Sequence, residues 1–168
     1  NHLDKSNRDN GYQMIFLAKN KNGFRNLSKL SSIANIEGFY YLPRIDKKIL
    51  KEYSQDIIVL SGGLSGEISS KILNLGEEKA EESLAWWKDT FGSDFYLEIQ
   101  RHNQENEDYI IPIIKEFSTK YDIKIIATNN TFYTTKTEAN AHDILLCVRE
   151  GEKQSVPIGK GRGFRYGL

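Results

Sequence analysis

Short apolar runs recur along the chain at 13–18, 57–60, 95–99 and 123–127, each bounded by Asn, Gly, Lys or Asp positions. Runs this short read as strands, and the first, apolar at almost every position, reads as one covered on both faces. Between the first two, Phe24, Leu27, Leu30, Ile33 and Ala34 fall at helical spacing, and a shorter helix is expected after the cap Asp46, through Ile49 and Leu50. The segment 77–91 repeats the helical period through Ala80, Leu84, Trp87 and Phe91, with acids in its first turn and Gly92 at its end. Ile110, Ile111, Ile114 and Phe117 predict a helix over 105–121, although Pro112 removes one backbone donor inside it. A last helix is expected through Ala139, His142, Leu145, Leu146 and Cys147.

Strands alternating with helices imply right-handed crossovers and a mostly parallel α/β sheet, open or curled into a barrel. Four strands are few for a closed parallel barrel, so the count leaves an open sheet and an amputated barrel both standing. Residues 1–153 then make one domain. Residues 154–168 hold Lys160, Arg162 and Arg165 among four glycines and no acid, and read as a basic, Gly-rich connector.

Composition narrows the function. Lys+Arg and Asp+Glu both total 23 in 168 residues, so no polyanion-binding face spans the whole surface and any nucleic-acid contact is local. With Cys147 as the only cysteine, neither an internal disulfide nor a Cys-rich zinc site can form, which fits a reducing, cytoplasmic setting. No run has the length of a membrane span, and the polar start has no signal-peptide core.

In parallel α/β folds, ligands bind at the rim formed by the C-terminal ends of the strands. That rim should receive Ser61, Gly62 and Gly63, then Glu98, Gln100 and His102, then residues 128–131. Only Glu98 and His102 among these are strong metal donors, because amides are weaker ligands than imidazoles and carboxylates. His142, next to Asp143, reads as a packed helix histidine paired to a carboxylate, and His2 as a disordered terminal residue. Residues 61–66 follow a strand but lack a G-x-S-x-G elbow, and the run 159–163 lacks the strand and spacing of a phosphate loop. Lys160, Arg162 and Arg165, interleaved with Phe164 and Tyr166, are candidate DNA contacts. Of the adjacent Trp86 and Trp87, one is expected in the core and the other at an interface.

At these residues the chain resembles the PHP domain, named for polymerase and histidinol phosphatase, of the bacterial replicative DNA polymerase III alpha subunit. The segments that carry the resemblance are 11–20 (GYQMIFLAKN), 23–27 (GFRNL), 38–46 (GFYYLPRID), 60–68 (LSGGLSGEI), 95–102 (FYLEIQRH), 127–130 (ATNN) and 141–148 (AHDILLCV). The resemblance implies a partial distorted parallel βα barrel, TIM-like with about seven strands when whole, whose opening strands are missing. Those opening strands carry a His-x-His motif and further ligands for a divalent metal cluster. Members that keep the site usually have His where this chain has Gln13, Cys at Gly63, Asp at Asn130 and His at Phe132; His102 survives. Each such loss costs roughly 10- to 100-fold in metal affinity.

The resemblance therefore implies a structural and interaction segment with a degenerate metal site and no cofactor of its own. The Mg²⁺ pair of the parent polymerase belongs to a palm domain outside these residues. Implied partners are the remainder of the alpha subunit, a proofreading exonuclease, and DNA through the intact polymerase. The alternative is a zinc- or manganese-dependent 3′–5′ exonuclease or phosphoesterase. A barrel missing strands also leaves an unpaired edge, so self-association is expected.

Overall fold

The computed structural model describes residues 1–6 and 11–155. In chain order the elements are β1 (Ile15–Ala18), α1 (Lys21–Ile36), α2 (Lys47–Glu52), β2 (Ile57–Leu60), α3 (Glu67–Leu75), α4 (Glu77–Phe91), β3 (Phe95–Ile99), α5 (Glu105–Tyr121), β4 (Ile125–Ala127) and α6 (Ala139–Glu150). Single 3-10 turns, Gly92–Asp94 and Lys136–Glu138, lead into β3 and α6.

The strands form one sheet in the order β1-β2-β3-β4. β2, β3 and β4 are parallel, as the alternation with helices requires. β1 is not: it runs antiparallel to β2, with Ile15 opposite Leu60 and Ala18 opposite Ile57. The chain between them forms α1 and α2 and returns without a parallel crossover. β1 also departs from the expectation of a doubly covered strand, since Ile15 and Leu17 are 39% and 49% exposed. Its apolar run matches a buried strand, yet among the described residues it is the sheet's edge.

Side-chain caps define the starts of α1 and α2. The Asn20 side chain accepts from the backbone N–H groups of Asn22 and Gly23 to open α1, and Asp46 Oδ1 accepts from Ile49 N to open α2. α5 continues through Pro112, where the pyrrolidine ring and the Asp108 carbonyl lie on the solvent side and water can satisfy the oxygen. The core lies between helices and sheet. Val59, Phe95, Leu97, Leu84, Ile114 and Phe117 are almost wholly buried, and Trp87 stacks on Phe91 and Phe95 at centroid distances of 5.8 and 6.0 Å. Burial of each such side chain contributes about 1.5–3 kcal/mol. Trp87 is thus the core tryptophan, while Trp86 packs edge-on against it under the Lys47 ammonium.

α3 is an element that the spacing of apolar residues does not predict. It carries Glu67, a buried carboxylate that accepts from Lys47 Nζ (2.9 Å), Ser83 Oγ (3.0 Å) and Trp87 Nε1 (2.7 Å) and pairs with Lys71 at 2.9 Å. One anion thereby joins α2, α3 and α4. His2 is the second correction. It is only 7% exposed, with both its backbone N–H (3.2 Å) and its ring Nδ1 (2.8 Å) against Asp46 Oδ2. The α2 cap thus also holds the first residues in place.

Among the described residues no helix is long and apolar enough to cross a membrane. Gln154 is held by Asn140 Oδ1 and Asp143 Oδ2, so the chain remains anchored to α6 at the start of the expected connector. Lys160, Arg162 and Arg165 lie outside the described residues.

Candidate functional site: a rim cavity lined by amides

The C-terminal ends of β2, β3 and β4 face one rim, and because β1 runs the opposite way, its leading residue Gln13 arrives there too. Gln13 donates its backbone N–H to Ser65 O at 3.0 Å. Gly62 makes this approach feasible: its φ is +71°, and a Cβ there would stand 2.2 Å from Gln13 O. The resulting cavity has a volume of about 750 Å³. Gln13, Gly63, Gln100, His102, Asn130 and Phe132 all line it, so every rim position singled out by the resemblance converges on one space.

Ser61 and Glu98 lie behind that lining rather than in it. Ser61 Oγ accepts from Glu98 N at 2.8 Å. The Glu98 side chain is 1% exposed, and its Oε1 accepts from Gln100 Nε2 at 2.9 Å and from the Thr128 hydroxyl. Its Oε2 is buried without a hydrogen-bond partner. Glu98 is thus spent on orienting Gln100 and Thr128.

His102 follows β3 and is fixed from both sides. Its Nδ1 meets Glu107 Oε1 at 2.7 Å, and its backbone N–H donates to Glu107 Oε2 at 2.5 Å. Glu107 also accepts from Gln104 N at the start of α5. Burial pushes the Glu107 carboxyl up, but the hydrogen bonds from His102 and Gln104 outweigh it and hold the group below the usual glutamate range. On the cavity side, His102 Nε2 lies 2.8 Å from Asn129 Oδ1 and 3.2 Å from Asn130 N. Phe132 stacks on His142 at 5.2 Å and 21°, which makes His142 a packing partner of the rim loop.

The apolar spacing does not point to Gln104 or Glu107. The available signal was a Gln three residues before a Glu at a helix start, a pairing that joins the first turn to the preceding backbone.

A carboxylate on Nδ1 is the support that metal-bound histidines commonly have. The remaining donors do not match it. Among the described residues, His102 is the one imidazole lining the cavity, the one carboxylate there is engaged by that imidazole, and the other polar side chains are mostly amides. Among the described residues no group of three or more His, Cys, Asp or Glu side chains could hold a metal ion. Divalent cations need several such donors to offset the loss of their hydration, so this lining does not suit the metal cluster of the resembling family.

An α/β sheet with a cavity at the strand ends, lined by a histidine that follows the third strand, defines the structural class. The PHP domain model matches residues 2–102, and the chain belongs to that family. DNA polymerase III subunit alpha of Borreliella burgdorferi is 41% identical over 144 residues, covering 86% of this chain and 13% of the relative. The protein of the same name from Campylobacter jejuni is 40% identical over 164 residues (92% and 14%), and that from Thermus aquaticus 41% identical over 146 (84% and 12%). The chain therefore spans about one-eighth of the length of these relatives.

Proposed function

We propose that this chain is a PHP segment of a replicative DNA polymerase alpha subunit, working in the cytoplasm as a scaffold that braces the polymerase body and binds partner subunits. The observation that carries this reading is the cavity lining. Where family members that hold metal have His, Cys, Asp and His, this chain has Gln13, Gly63, Asn130 and Phe132, and its surviving His102 is hydrogen-bonded on both ring nitrogens. In this reading the four-stranded sheet is part of a distorted barrel completed by strands outside the chain. The remainder of the alpha subunit is the first partner, a proofreading exonuclease the second, and DNA is reached through the intact polymerase. Residues 154–168 connect the domain to the rest of the subunit.

The Glu107-supported His102 favours a second reading, a zinc- or manganese-dependent 3′–5′ exonuclease or phosphoesterase. Metal analysis of this chain and of the intact alpha subunit separates the two, beside hydrolysis of a labelled primer and of a generic phosphate ester. The scaffold reading expects substoichiometric metal and no chelator-sensitive turnover. Stoichiometric zinc or manganese with turnover abolished by chelation overturns it.

A further inference from the structure

The rim cavity has lost metal donors, but it has not become inert. Its volume of about 750 Å³ falls within the range of small-molecule sites. Six amide side chains line it: Gln13, Gln100, Gln104, Asn106, Asn129 and Asn130. Among the described residues no lysine or arginine does, and the one lining carboxylate, Glu107, is bound to His102. Phosphate would find no cation among these residues. The lining selects instead a neutral solute that can both donate and accept hydrogen bonds.

One of these amides has a fixed orientation. Gln100 Nε2 donates to the buried Glu98 carboxylate at 2.9 Å and to Thr128 Oγ1 at 3.1 Å, which identifies the nitrogen and turns the carbonyl oxygen the other way. That oxygen lies over Gly63, 2.5 Å from where a Cβ would be, and accepts no hydrogen bond from the described residues. It is an acceptor held in place by a carboxylate that is 1% exposed. Phe132 and Tyr133, both packed on His142, form an aromatic wall of the same cavity. A preset carbonyl acceptor, further amides around it and a ring wall match a planar heterocycle with an exocyclic amine; amide side chains pair with adenine in this manner, and aromatic rings stack on bases.

We infer that the rim cavity of this chain binds a neutral nucleobase, adenine in preference to hypoxanthine, through the Gln100 carbonyl, the surrounding amides and the Phe132–Tyr133 wall. The inference rests on reading the cavity as free of metal, so the same sample is first analysed for zinc and manganese, which tests that reading separately.

The 168-residue chain, labelled with ¹⁵N, is titrated with adenosine, inosine and adenosine 5′-monophosphate while the side-chain amides are followed by NMR. Adenosine should shift the Gln100 and Asn130 amides with a dissociation constant on the order of 1 mM. Inosine, which sets a carbonyl against the Gln100 carbonyl, should bind at least about fivefold more weakly. The 5′-phosphate should change affinity by less than about twofold, because no cation among the described lining residues receives it. Tyr133→Ala and Asn130→Ala should each weaken adenosine roughly tenfold with the circular dichroism spectrum retained. Competition by a deoxyadenosine trinucleotide at the same amides assigns the base to a strand end, and its failure to compete assigns it to a free nucleoside; both agree with the inference. Unperturbed cavity amides at saturating adenosine overturn it, as do equal affinity for inosine, phosphate-driven binding, or full affinity in both variants.

Discussion

The side-chain carbonyl of Gln100 fills the space above Gly63, 2.5 Å from the position of an absent Cβ. The amide keeps that place because its nitrogen is tied to Glu98 and Thr128. Two positions far apart in sequence are therefore one packing unit, and the missing side chain at one is the seat of the other.

It follows that Gly63→Cys should not by itself rebuild a metal ligand. The thiol must displace Gln100 and strip a hydrogen bond from a buried carboxylate, which should destabilise the fold by about 1–3 kcal/mol. In a Gln100→Ala background the same substitution should cost less. Urea denaturation of the two single variants and the double variant gives the coupling; strictly additive effects would show that the contact carries no energy.

Glu67 should make the stability of the fold depend on pH. Burial pushes its carboxyl up, but hydrogen bonds from Lys71, Lys47 and Trp87 prevail and hold it below the usual glutamate range. A group with a depressed folded-state pKa stabilises the fold above its unfolded value, about 4.3, and loses that contribution as pH falls toward the folded value. The thermal midpoint should accordingly drop as pH is lowered below about 5, and Glu67→Gln should flatten that slope. Glu67→Ala should cost about 3 kcal/mol at neutral pH, because it leaves Lys47, Lys71 and the Trp87 indole without their shared acceptor.

At Asp46, one carboxylate does two jobs: Oδ1 caps α2 and Oδ2 holds His2. Hydrogen bonds to His2 and Ile49 keep its carboxyl far below the usual aspartate range despite burial. Asp46→Asn retains a good cap and should lose only the charged contact to His2. Asp46→Ala should lose both and be less stable than Asp46→Asn by about 1 kcal/mol. Equal denaturation midpoints for the two variants would remove the capping role.

The exposed side chains of β1 bear on assembly. Ile15 and Leu17 present apolar surface at a strand whose outer edge is unpaired among the described residues, and such edges recruit other chains. Sedimentation should show concentration-dependent self-association of this chain, suppressed by Leu17→Lys. A strict monomer throughout the millimolar range would rule it out.

The sequence made the positions of the elements easier to read than their relationships. Apolar runs located all four strands, since their lengths and Gly or Asn boundaries are local properties, although β4 starts at Ile125 rather than Ile123 because Ile123 N still closes α5 on Ser118 O. The direction of β1 is not local: the same residues read identically in a parallel and an antiparallel pairing. α3 was hidden because it follows a glycine-rich loop and carries two serines, and because its buried Glu67 looks like a surface residue until Lys47 and Trp87 converge on it. The rim was better defined than the rest, as strand ends identify it once the sheet is known. What the apolar spacing could not supply was Glu107, which reaches His102 across a helix start.

The reversed course of β1 changes how the rim positions should be counted. Gln13 and Asn130 stand at nearly opposite ends of the chain, yet the fold seats them around one mouth beside Gly63 and Phe132. A replacement at any one alters the volume and polarity met by the other three. A metal-donor residue placed at one of them alone would thus meet neighbours that do not complement it, and a metal site there would require the group to change in concert.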